Sequence, residues 1–299
     1  MSKRIIRVGS RDSKLAVMQT QLVIDAIAKQ HPEIEFELVT MKTTGDLILN
    51  KTLDKIGGKG LFVKELDIAL AQGRIDCSIH SLKDMPMEEN PDLPIVALPK
   101  RGDPRDVLVL PKTQSFCHVT AQIGSSSFRR QLQLSKLFPQ STCAPVRGNV
   151  ITRLQKLDCG EFSSLVLAGA GLQRVGLANR ISRYFSTDEM IPAAGQGILA
   201  IQSRADEDMS FLSCIHDIES QYASLAERSF VRTLNGGCSS PIAAYAKISG
   251  NELHLTGLYA EEHATDYLVD TITGSVEQAV QLGEKLAHNM KGRFAYECR

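Results

Sequence analysis

Apolar and polar positions along the first two thirds of the chain follow two alternating periods. Short apolar runs such as RIIRVGS, FELVTMK and SLVLAG have the length and β-branched content of strands, and a segment with helical spacing follows each of them. The apolar positions of the first helix share one face: Leu15, Met18, Leu22 and Ala26. A later helix, LFVKELDIALAQ, is expected to end at Gly73. Strands that alternate with helices are typical of an α/β protein with mainly parallel sheets covered by helices.

Proline-rich segments divide this pattern into lobes. PDLPIVALPKRGDP carries four prolines, and MIPAAGQG surrounds Pro192, so we predict two crossings between two α/β lobes. The strand ILAIQS, after the second crossing, is expected to return to the first lobe. Beyond Asp217 a long helix, strands joined through Gly250-Asn251, a strand near YLVDTI and a last helix predict a small α+β domain with an antiparallel sheet. The predicted domains are 1–98 with 196–217, 99–195, and 218–299.

Composition narrows the class of protein. The 299 residues contain 34 Lys and Arg against 34 Asp and Glu, so no global basic field favours nucleic acid or an anionic membrane. No apolar run approaches the roughly 20 residues of a membrane span, and the start of the chain lacks the apolar region of a secretory signal. The seven cysteines form no C-x-x-C pair, which favours reduced thiols and no metal site. We expect a cytoplasmic protein without nucleic-acid or membrane partners.

Cationic side chains follow several of the predicted strands. Ligands of open α/β sheets bind beyond the carboxyl ends of the strands. The cations at such positions are Arg11, Lys83, Arg129, Arg130, Arg147 and Arg174, and Arg153 lies further along one helix. Each of them alone is explained well enough as a surface charge. Two facing lobes would bring them together, and arginine binds carboxylate or phosphate through two parallel hydrogen bonds. The pattern therefore predicts a cleft for a polyanion.

Three glycine-containing segments allow more than one interpretation. GSSSFRR offers backbone N–H groups, the hydroxyl of Ser127 and a helix N-terminus to an anion, or it is an ordinary serine N-cap. GGKG lacks the spacing of a P-loop, and we interpret it as a mobile lid that carries Lys59. GAGLQRVG has Arg174 where a dinucleotide fingerprint needs a small residue, so a nucleotide-dependent oxidoreductase is only a weak alternative.

Two further side chains have reactive potential. In HSLKDMP, strand alternation places Ser81 and Lys83 on one side and Asp84 on the other. An aspartate in a turn is usually structural, but one surrounded by cations stays ionised and can stabilise a developing positive charge. Cys238 follows two glycines that suit a helix stop. The thiol is either a small buried filler or a covalent anchor in the cleft.

Taken together, these segments resemble one family, the porphobilinogen deaminases, also called hydroxymethylbilane synthases. The matching segments are VGSRDSKLA, GDLILNKTLDKIGGKGLFVKELDIAL, HSLKDMP, DPRD, GSSSFRRQLQL, RGNVITRLQKLDCGE, LAGAGLQR, PAAGQG and NGGCSSPI. They occur in order from residue 8 to residue 242, so the resemblance covers most of the chain. Such an ordered set is far more specific than any single motif.

The resemblance implies a transferase of tetrapyrrole and heme biosynthesis. Members of the family carry a dipyrromethane cofactor on a thioether to the cysteine that matches Cys238. They deaminate four porphobilinogen molecules, join them head to tail on this primer, and release 1-hydroxymethylbilane. Asp84 matches the catalytic carboxylate. The residues that match cofactor-binding positions are Ser81, Lys83, Ser127, Arg129, Arg130, Arg147 and Arg153. Those that match substrate-binding positions are Arg11, Ser13, Lys59, Arg174 and Gln196.

The resemblance also implies an architecture. Members of this family have three domains, of which the first two resemble periplasmic binding proteins, and they are usually monomers. The main alternative from another class is a non-catalytic, two-lobed anion-binding protein. Such a protein would need neither Asp84 nor Cys238.

Overall fold

The fold is an α/β architecture with three sheets. The computed structural model describes residues 4–47, 63–112, 114, 122–237, 240–262 and 264–297. The helices in these ranges are α1 Lys14–Ala28, α2 Thr44–Leu47, α3 Lys64–Ala71, α4 Phe128–Leu137, α5 Val150–Asp158, α6 Gly169–Arg174, α7 Ile218–Thr233 and α8 Ala279–Glu297. None of these described helices is long and apolar enough to cross a membrane.

The strands alternate with these helices up to β10. They are β1 Arg4–Arg11, β2 Ile34–Met41, β3 Cys77–Ser81, β4 Ile95–Ala97, β5 Asp106–Val109, β6 Gln122–Gly124, β7 Thr142–Ala144, β8 Ser164–Ala168, β9 Arg183–Tyr184, β10 Leu199–Ser203, β11 Ala243–Ser249, β12 Glu252–Tyr259 and β13 Leu268–Ser275. The predicted strand in CAPVRG is shorter than expected, since β7 ends at Ala144.

The first sheet has the strand order β2-β1-β3-β10-β4. Strand β1 pairs in parallel with β2 and β3, whereas β10 pairs antiparallel with β3 and β4. Strand β10 is the predicted returning strand, and its position in this sheet confirms that expectation. The core of this lobe forms where strand residues such as Ile6, Val8 and Ile79 meet Val23 and Ile27 of α1.

Helix α1 buries a different face from the apolar one in its sequence. Met18 and Leu22 are 38% and 47% exposed. The buried residues of the helix are Ala16, Gln19, Thr20, Val23, Ile24 and Ile27. Gln19 tolerates burial because its carboxamide donates a hydrogen bond to Ser81 Oγ over 3.2 Å. Hydrophobic periodicity cannot predict this buried face. It assigns polar residues such as Gln19 to the exposed side of a helix, whatever hydrogen-bond partner they have elsewhere in the chain.

The second sheet has the order β7-β6-β8-β5-β9. Strand β6 pairs in parallel with β7 and β8, and β5 pairs antiparallel with β8 and β9. Each lobe thus has parallel strands of a βαβ arrangement and one antiparallel strand that follows a crossing between the lobes. These antiparallel strands are β10 in the first sheet and β5 in the second. The predicted α/β class with two parallel-rich lobes is confirmed.

The last part of the chain forms an antiparallel sheet covered by two helices. Its order is β11-β12-β13, and α7 and α8 pack on one face of it. Phe230 lies so close to β12 that a Cβ at Gly257 would come within 2.5 Å of its ring. The last helix begins at Ala279, after a short 3-10 helix from Val276 to Gln278. This confirms the predicted α+β unit.

The two crossings between the lobes run side by side. The Gly102 N–H donates to the carbonyl of Gly197 over 3.1 Å. Gly197 has a φ of 91°, and a Cβ there would lie 2.8 Å from the Gly102 oxygen. Glycine is required at Gly197 by both its conformation and this close approach.

A buried carboxylate joins both crossings to the last unit. Glu227 of α7 is fully buried and accepts hydrogen bonds from Arg101 Nη1 at 2.5 Å and from the N–H of Gly195 at 2.7 Å. It also accepts from the N–H of Ala246 in β11 at 2.8 Å. One side chain thus fixes the orientation of the α+β unit against the region between the lobes.

Glu227→Gln is expected to lower the free energy of unfolding by about 3 to 5 kcal/mol, because the Arg101 guanidinium would lose its buried counter-charge. The matched control is Glu284→Gln, since Glu284 pairs with Arg232 only at 4.0 Å and both side chains are largely exposed. That control should change stability by less than about 0.5 kcal/mol. Urea unfolding measures both. Equal midpoints for the two variants would remove Glu227 from this role.

Candidate active site

The first lobe contributes a short turn at the carboxyl end of β3. Strand β3 ends at Ser81, and residues Leu82 to Asp84 form a 3-10 helix. Leu82 is fully buried and its N–H donates to the carbonyl of Ile198 over 3.0 Å. Lys83 and Asp84 are half-buried beside this anchor. The prediction that Lys83 and Asp84 lie on opposite sides of the sheet assumed that the strand continues through them. The strand ends at Ser81, so this prediction does not apply.

The Lys83 ammonium lies among charges of both signs. Its Nζ donates to Gln196 Oε1 over 3.4 Å. Burial lowers the pKa of Lys83 to about 8, and the neighbouring arginines Arg129 and Arg130 add to this effect, whereas the carboxylates of Asp84 and Asp106 oppose it. A cation whose charged form is disfavoured gains most from an anionic ligand.

The second lobe contributes another cation, Arg153, whose pKa is affected by the charges of Asp84 and Arg130. Arg153 of α5 has its Nε bonded to the carbonyl of Gly148 at 2.8 Å. Burial lowers the pKa of Arg153 to about 10, with further lowering from the charges of Arg130 and Arg147, and the charge of Asp84 opposes the shift. The charge of Asp84 therefore acts on a cation of each lobe, Lys83 and Arg153.

The two arginines of GSSSFRR bind a carboxylate that is fully buried. Arg129 Nη1 lies 2.6 Å from Asp106 Oδ2, and Arg130 Nη2 lies 2.7 Å from Asp106 Oδ1. Burial alone would raise the pKa of Asp106, but the two guanidinium groups hold it below its usual range. Two cations on one carboxylate leave one net positive charge. The predicted role of Arg129 and Arg130 toward a ligand stays a prediction, and the structure adds this buried partner.

The serines of the same motif have separate tasks. Ser126 Oγ donates to the carbonyl of Val146 at 2.7 Å and accepts from its N–H at 2.9 Å. Ser127 occupies the N-cap position of α4, but its side chain makes no capping hydrogen bond. The serine N-cap interpretation therefore fails for Ser127. Binding of an anion by its hydroxyl and by the first-turn N–H groups of α4 stays a prediction.

Two predicted residues lie at the start of α1. Arg11 ends β1 and is half-buried. Ser13 caps α1, since its Oγ accepts from the N–H of Ala16 over 3.3 Å. Arg11 thus lies at the carboxyl end of β1, where the prediction placed it, and Ser13 follows two residues later.

Arg174 and Gln196 lie at the crossings between the lobes. Arg174 Nη2 donates to the carbonyl of Gly197 at 2.5 Å, and burial lowers the pKa of Arg174 to about 10. Gln196 is fully buried, and its Nε2 donates to the carbonyl of Pro104 at 2.7 Å and to Asp106 Oδ1 at 3.0 Å. Both side chains thus form hydrogen bonds with backbone carbonyls of the two crossings, at Gly197 and Pro104.

Lys59 and Cys238 lie outside the described residues. Next to Cys238, α7 ends at Thr233 and Asn235 adopts a φ of 56°, which confirms the predicted helix stop. A Cβ at Gly236 would lie 2.7 Å from Ile242, and a Cβ at the exposed Gly237 would meet no atom of the described residues within 4 Å.

The buried polar residues that sequence reasoning missed include Gln19, Asp106 and Glu227. A signal existed for Asp106, because a carboxylate directly before the apolar run VLVL needs a cationic partner if the strand is buried. No group of three or more His, Cys, Asp or Glu residues in the described part of the chain is placed to hold a metal ion.

The fold and the site together define a two-lobed α/β protein with an added α+β unit and with cationic side chains of both lobes near one carboxylate. A family model described as "Porphobilinogen deaminase, dipyromethane cofactor binding domain" matches residues 6–211. A second model, "Porphobilinogen deaminase, C-terminal domain", matches residues 221–292. The chain belongs to the porphobilinogen deaminase family, an enzyme family whose cofactor is dipyrromethane.

Individual relatives agree with this assignment. The chain is 58% identical over 286 residues to the porphobilinogen deaminase of Ruminiclostridium josui, which covers 96% of this chain and 97% of the relative. It is 42% identical over 303 residues to that of Nostoc sp., covering 99% of this chain and 94% of the relative. The likeness to solved structures is weaker: the methionine binding protein MetQ has 12% identity and a TM-score of 0.45, covering 73% of this chain and 90% of that one.

Proposed function

We propose that the protein deaminates porphobilinogen and joins four molecules head to tail on a dipyrromethane primer, with release of hydroxymethylbilane. The observation that carries the proposal is the set of cations from both lobes around Asp84. Lys83 comes from the first lobe and Arg153 from the second, and the charge of Asp84 acts on both.

The cations fit a group of this chemistry. Each pyrrole unit carries an acetate and a propionate arm, so a chain of such units is a polyanion. Guanidinium and ammonium groups that are partly desolvated bind carboxylates strongly. We assign the cofactor to Cys238, Ser81, Lys83, Ser127, Arg129, Arg130, Arg147 and Arg153. When bound, the cofactor supplies the free pyrrole carbon on which the first substrate is joined.

The incoming substrate is assigned to residues at the carboxyl ends of strands and at the crossings. They are Arg11, Ser13, Lys59, Arg174 and Gln196. Of these, the described residues lie after β1, after β8 and beside Gly197. This placement lets the arms of the substrate meet cations while its aminomethyl carbon approaches Asp84.

Asp84 has the catalytic role in this proposal. Loss of ammonia from the aminomethyl group of porphobilinogen leaves an electron-poor methylene pyrrolenine, and its positive charge is delocalised onto the pyrrole nitrogen. A fixed carboxylate stabilises that charge as it develops, without reorganisation of water. The half-buried position of Asp84 at the 3-10 turn supports this role.

We also propose domain bounds and a setting for the enzyme. The bounds 1–98 with 196–217, 99–195 and 218–299 agree with the membership of the three sheets. The balanced charge supports a protein without nucleic-acid or membrane partners. The cytoplasmic location and the monomeric state are proposed from the family resemblance. The described cysteines Cys77, Cys143, Cys159 and Cys214 are free thiols.

Incubation of the purified protein with porphobilinogen tests the function. We expect one ammonia for each porphobilinogen consumed and a linear tetrapyrrole that cyclises and oxidises to a coloured porphyrin. A two-lobed anion-binding protein would bind porphobilinogen without consuming it. Binding without release of ammonia would therefore decide for that alternative.

Lys83 is assigned to the tethered primer, and the incoming substrate is joined directly beside that primer. Loss of the Lys83 charge at alkaline pH therefore also weakens the attraction of the site for the acid arms of the substrate. The folded pKa of Lys83, about 8, is lower than that of a free lysine, so its charge is present below this pH and is lost above it. We expect the KM for porphobilinogen to rise by up to about tenfold between pH 7 and pH 9. Lys83→Arg keeps the charge at both pH values. A KM of this variant that rises as steeply as that of the wild type would assign the effect to another group.

A further inference from the structure

We propose that Asp106 is a positioning residue for this reaction, which holds the Lys83 ammonium beside Asp84 through the Gln196 carboxamide and the Arg129–Arg130 pair. The inference rests on the proposed function and adds a residue to it. Asp106 is fully buried at the first position of β5, so it acts on the cleft only through other side chains.

Hydrogen bonds from three side chains fix the Asp106 carboxylate. Oδ1 accepts from Arg130 Nε at 3.0 Å, from Arg130 Nη2 at 2.7 Å and from Gln196 Nε2 at 3.0 Å. Oδ2 accepts from Arg129 Nη1 at 2.6 Å. Both guanidinium groups have a second anchor, since Arg129 also donates to Ile191 and Arg130 to Val166. The carboxylate is therefore held rigidly.

Asp106 determines which end of the Gln196 carboxamide faces Lys83. The two acceptors on one side, Asp106 Oδ1 and the carbonyl of Pro104, require the NH2 group of Gln196 there. The carboxamide oxygen must then point the other way, and Lys83 Nζ lies 3.4 Å from it. An asparagine in place of Asp106 has one oxygen for donors that now share two. The Gln196 carboxamide would then be held mainly by the carbonyl of Pro104, and its oxygen would be oriented less firmly toward the ammonium.

Asp106 also balances the charge around Lys83. The charged groups that act on Lys83 are Asp84, Asp106, Arg129 and Arg130. Without Asp106 the two arginines would act on Lys83 with no carboxylate other than Asp84. Asp84 would then be drawn into pairing with these cations instead of facing the pyrrole nitrogens. The buried carboxylate thus leaves Asp84 available for the substrate.

The test is a direct titration of Lys83 in Asp106→Asn. Reductive methylation with ¹³C-formaldehyde labels the lysines of the holoenzyme, and Lys83→Arg identifies the Lys83 signal in the NMR spectrum. We expect the titration midpoint of Lys83 to fall by about one pH unit in Asp106→Asn, since a negative charge is lost. The alkaline rise in KM should begin at a correspondingly lower pH.

A matched control separates this role from simple support of the fold. Asp158 also binds an arginine of the second lobe, with Arg180 Nη2 at 2.7 Å from its Oδ1. Asp158→Asn should leave the Lys83 midpoint unchanged. An unchanged midpoint in a folded Asp106→Asn would overturn the proposal, even if that variant were less stable. The titration needs no substrate, so its failure is distinct from failure of the proposed reaction.

A second variant covers the case in which Asp106→Asn does not fold. Gln196→Leu keeps the Asp106 pairs with Arg129 and Arg130 but removes the acceptor of the Lys83 hydrogen bond. We expect a smaller fall of the Lys83 midpoint, about half a pH unit, and a KM that rises more than kcat falls. A Lys83 midpoint equal to that of the wild type would contradict the proposed connection through Gln196.

Discussion

Asp84→Asn is expected to reduce kcat for porphobilinogen by about 100-fold to 1,000-fold while the fold stays intact. Asparagine keeps the size of the side chain and one carbonyl oxygen, so the 3-10 turn from Leu82 to Asp84 should still form. The lost charge is the one that stabilises the cationic pyrrole when ammonia leaves. Binding of the acid arms should be affected less, because the cations supply it. We therefore expect the loss in kcat rather than in KM.

The measurement is initial rates of ammonia release, with thermal unfolding of the same samples as the check on folding. Glu88→Gln is the matched control, since Glu88 is an exposed carboxylate four positions away on the same segment. The control should retain wild-type rates within about twofold. Rates for Asp84→Asn close to those of Glu88→Gln would remove Asp84 from catalysis.

Short sequence patterns predicted most of the fold, because strand burial, chain crossings and helix ends each depend on a few neighbouring residues. The runs that became β8 and β10 are mostly apolar over the length of a short buried strand. The crossings were visible as prolines, and the end of α7 as Asn235 followed by glycines. The exposed face of α1 was not predicted, because the burial of Gln19 depends on Ser81, which is 62 positions away.

The sequence predicted where the site lies in the fold, but not which side chains form hydrogen bonds with each other there. The rule that ligands lie beyond the carboxyl ends of strands brings Arg11, Lys83 and Arg147 together without any knowledge of contacts. The pairing of Asp106 with Arg129 and Arg130 depends on residues 23 and 24 positions apart. Arg101 and Glu227 are 126 positions apart. Partners at such separations leave no periodic signal in one sequence.

Cys238→Ser is expected to give a folded protein that carries no pyrrole adduct and has no measurable turnover. The thioether requires a sulfur nucleophile, and a serine hydroxyl is far less acidic and less nucleophilic than a thiol. Without a tethered primer the growing chain has no attachment. Intact mass spectrometry should show the wild type heavier than its sequence by two linked pyrrole units and Cys238→Ser at its sequence mass.

Cys214→Ser is the control for this substitution, because Cys214 is an exposed free thiol of the same chain. That variant should keep both the adduct and the turnover, which shows that loss of any one thiol is not sufficient. Brief exposure to a small amount of porphobilinogen should add further pyrrole units in steps to the wild type and to Cys214→Ser. No steps should appear in Cys238→Ser. A wild type that turns over porphobilinogen at its bare sequence mass would refute the covalent primer, because elongation on Cys238 requires the adduct to be present before the first substrate binds.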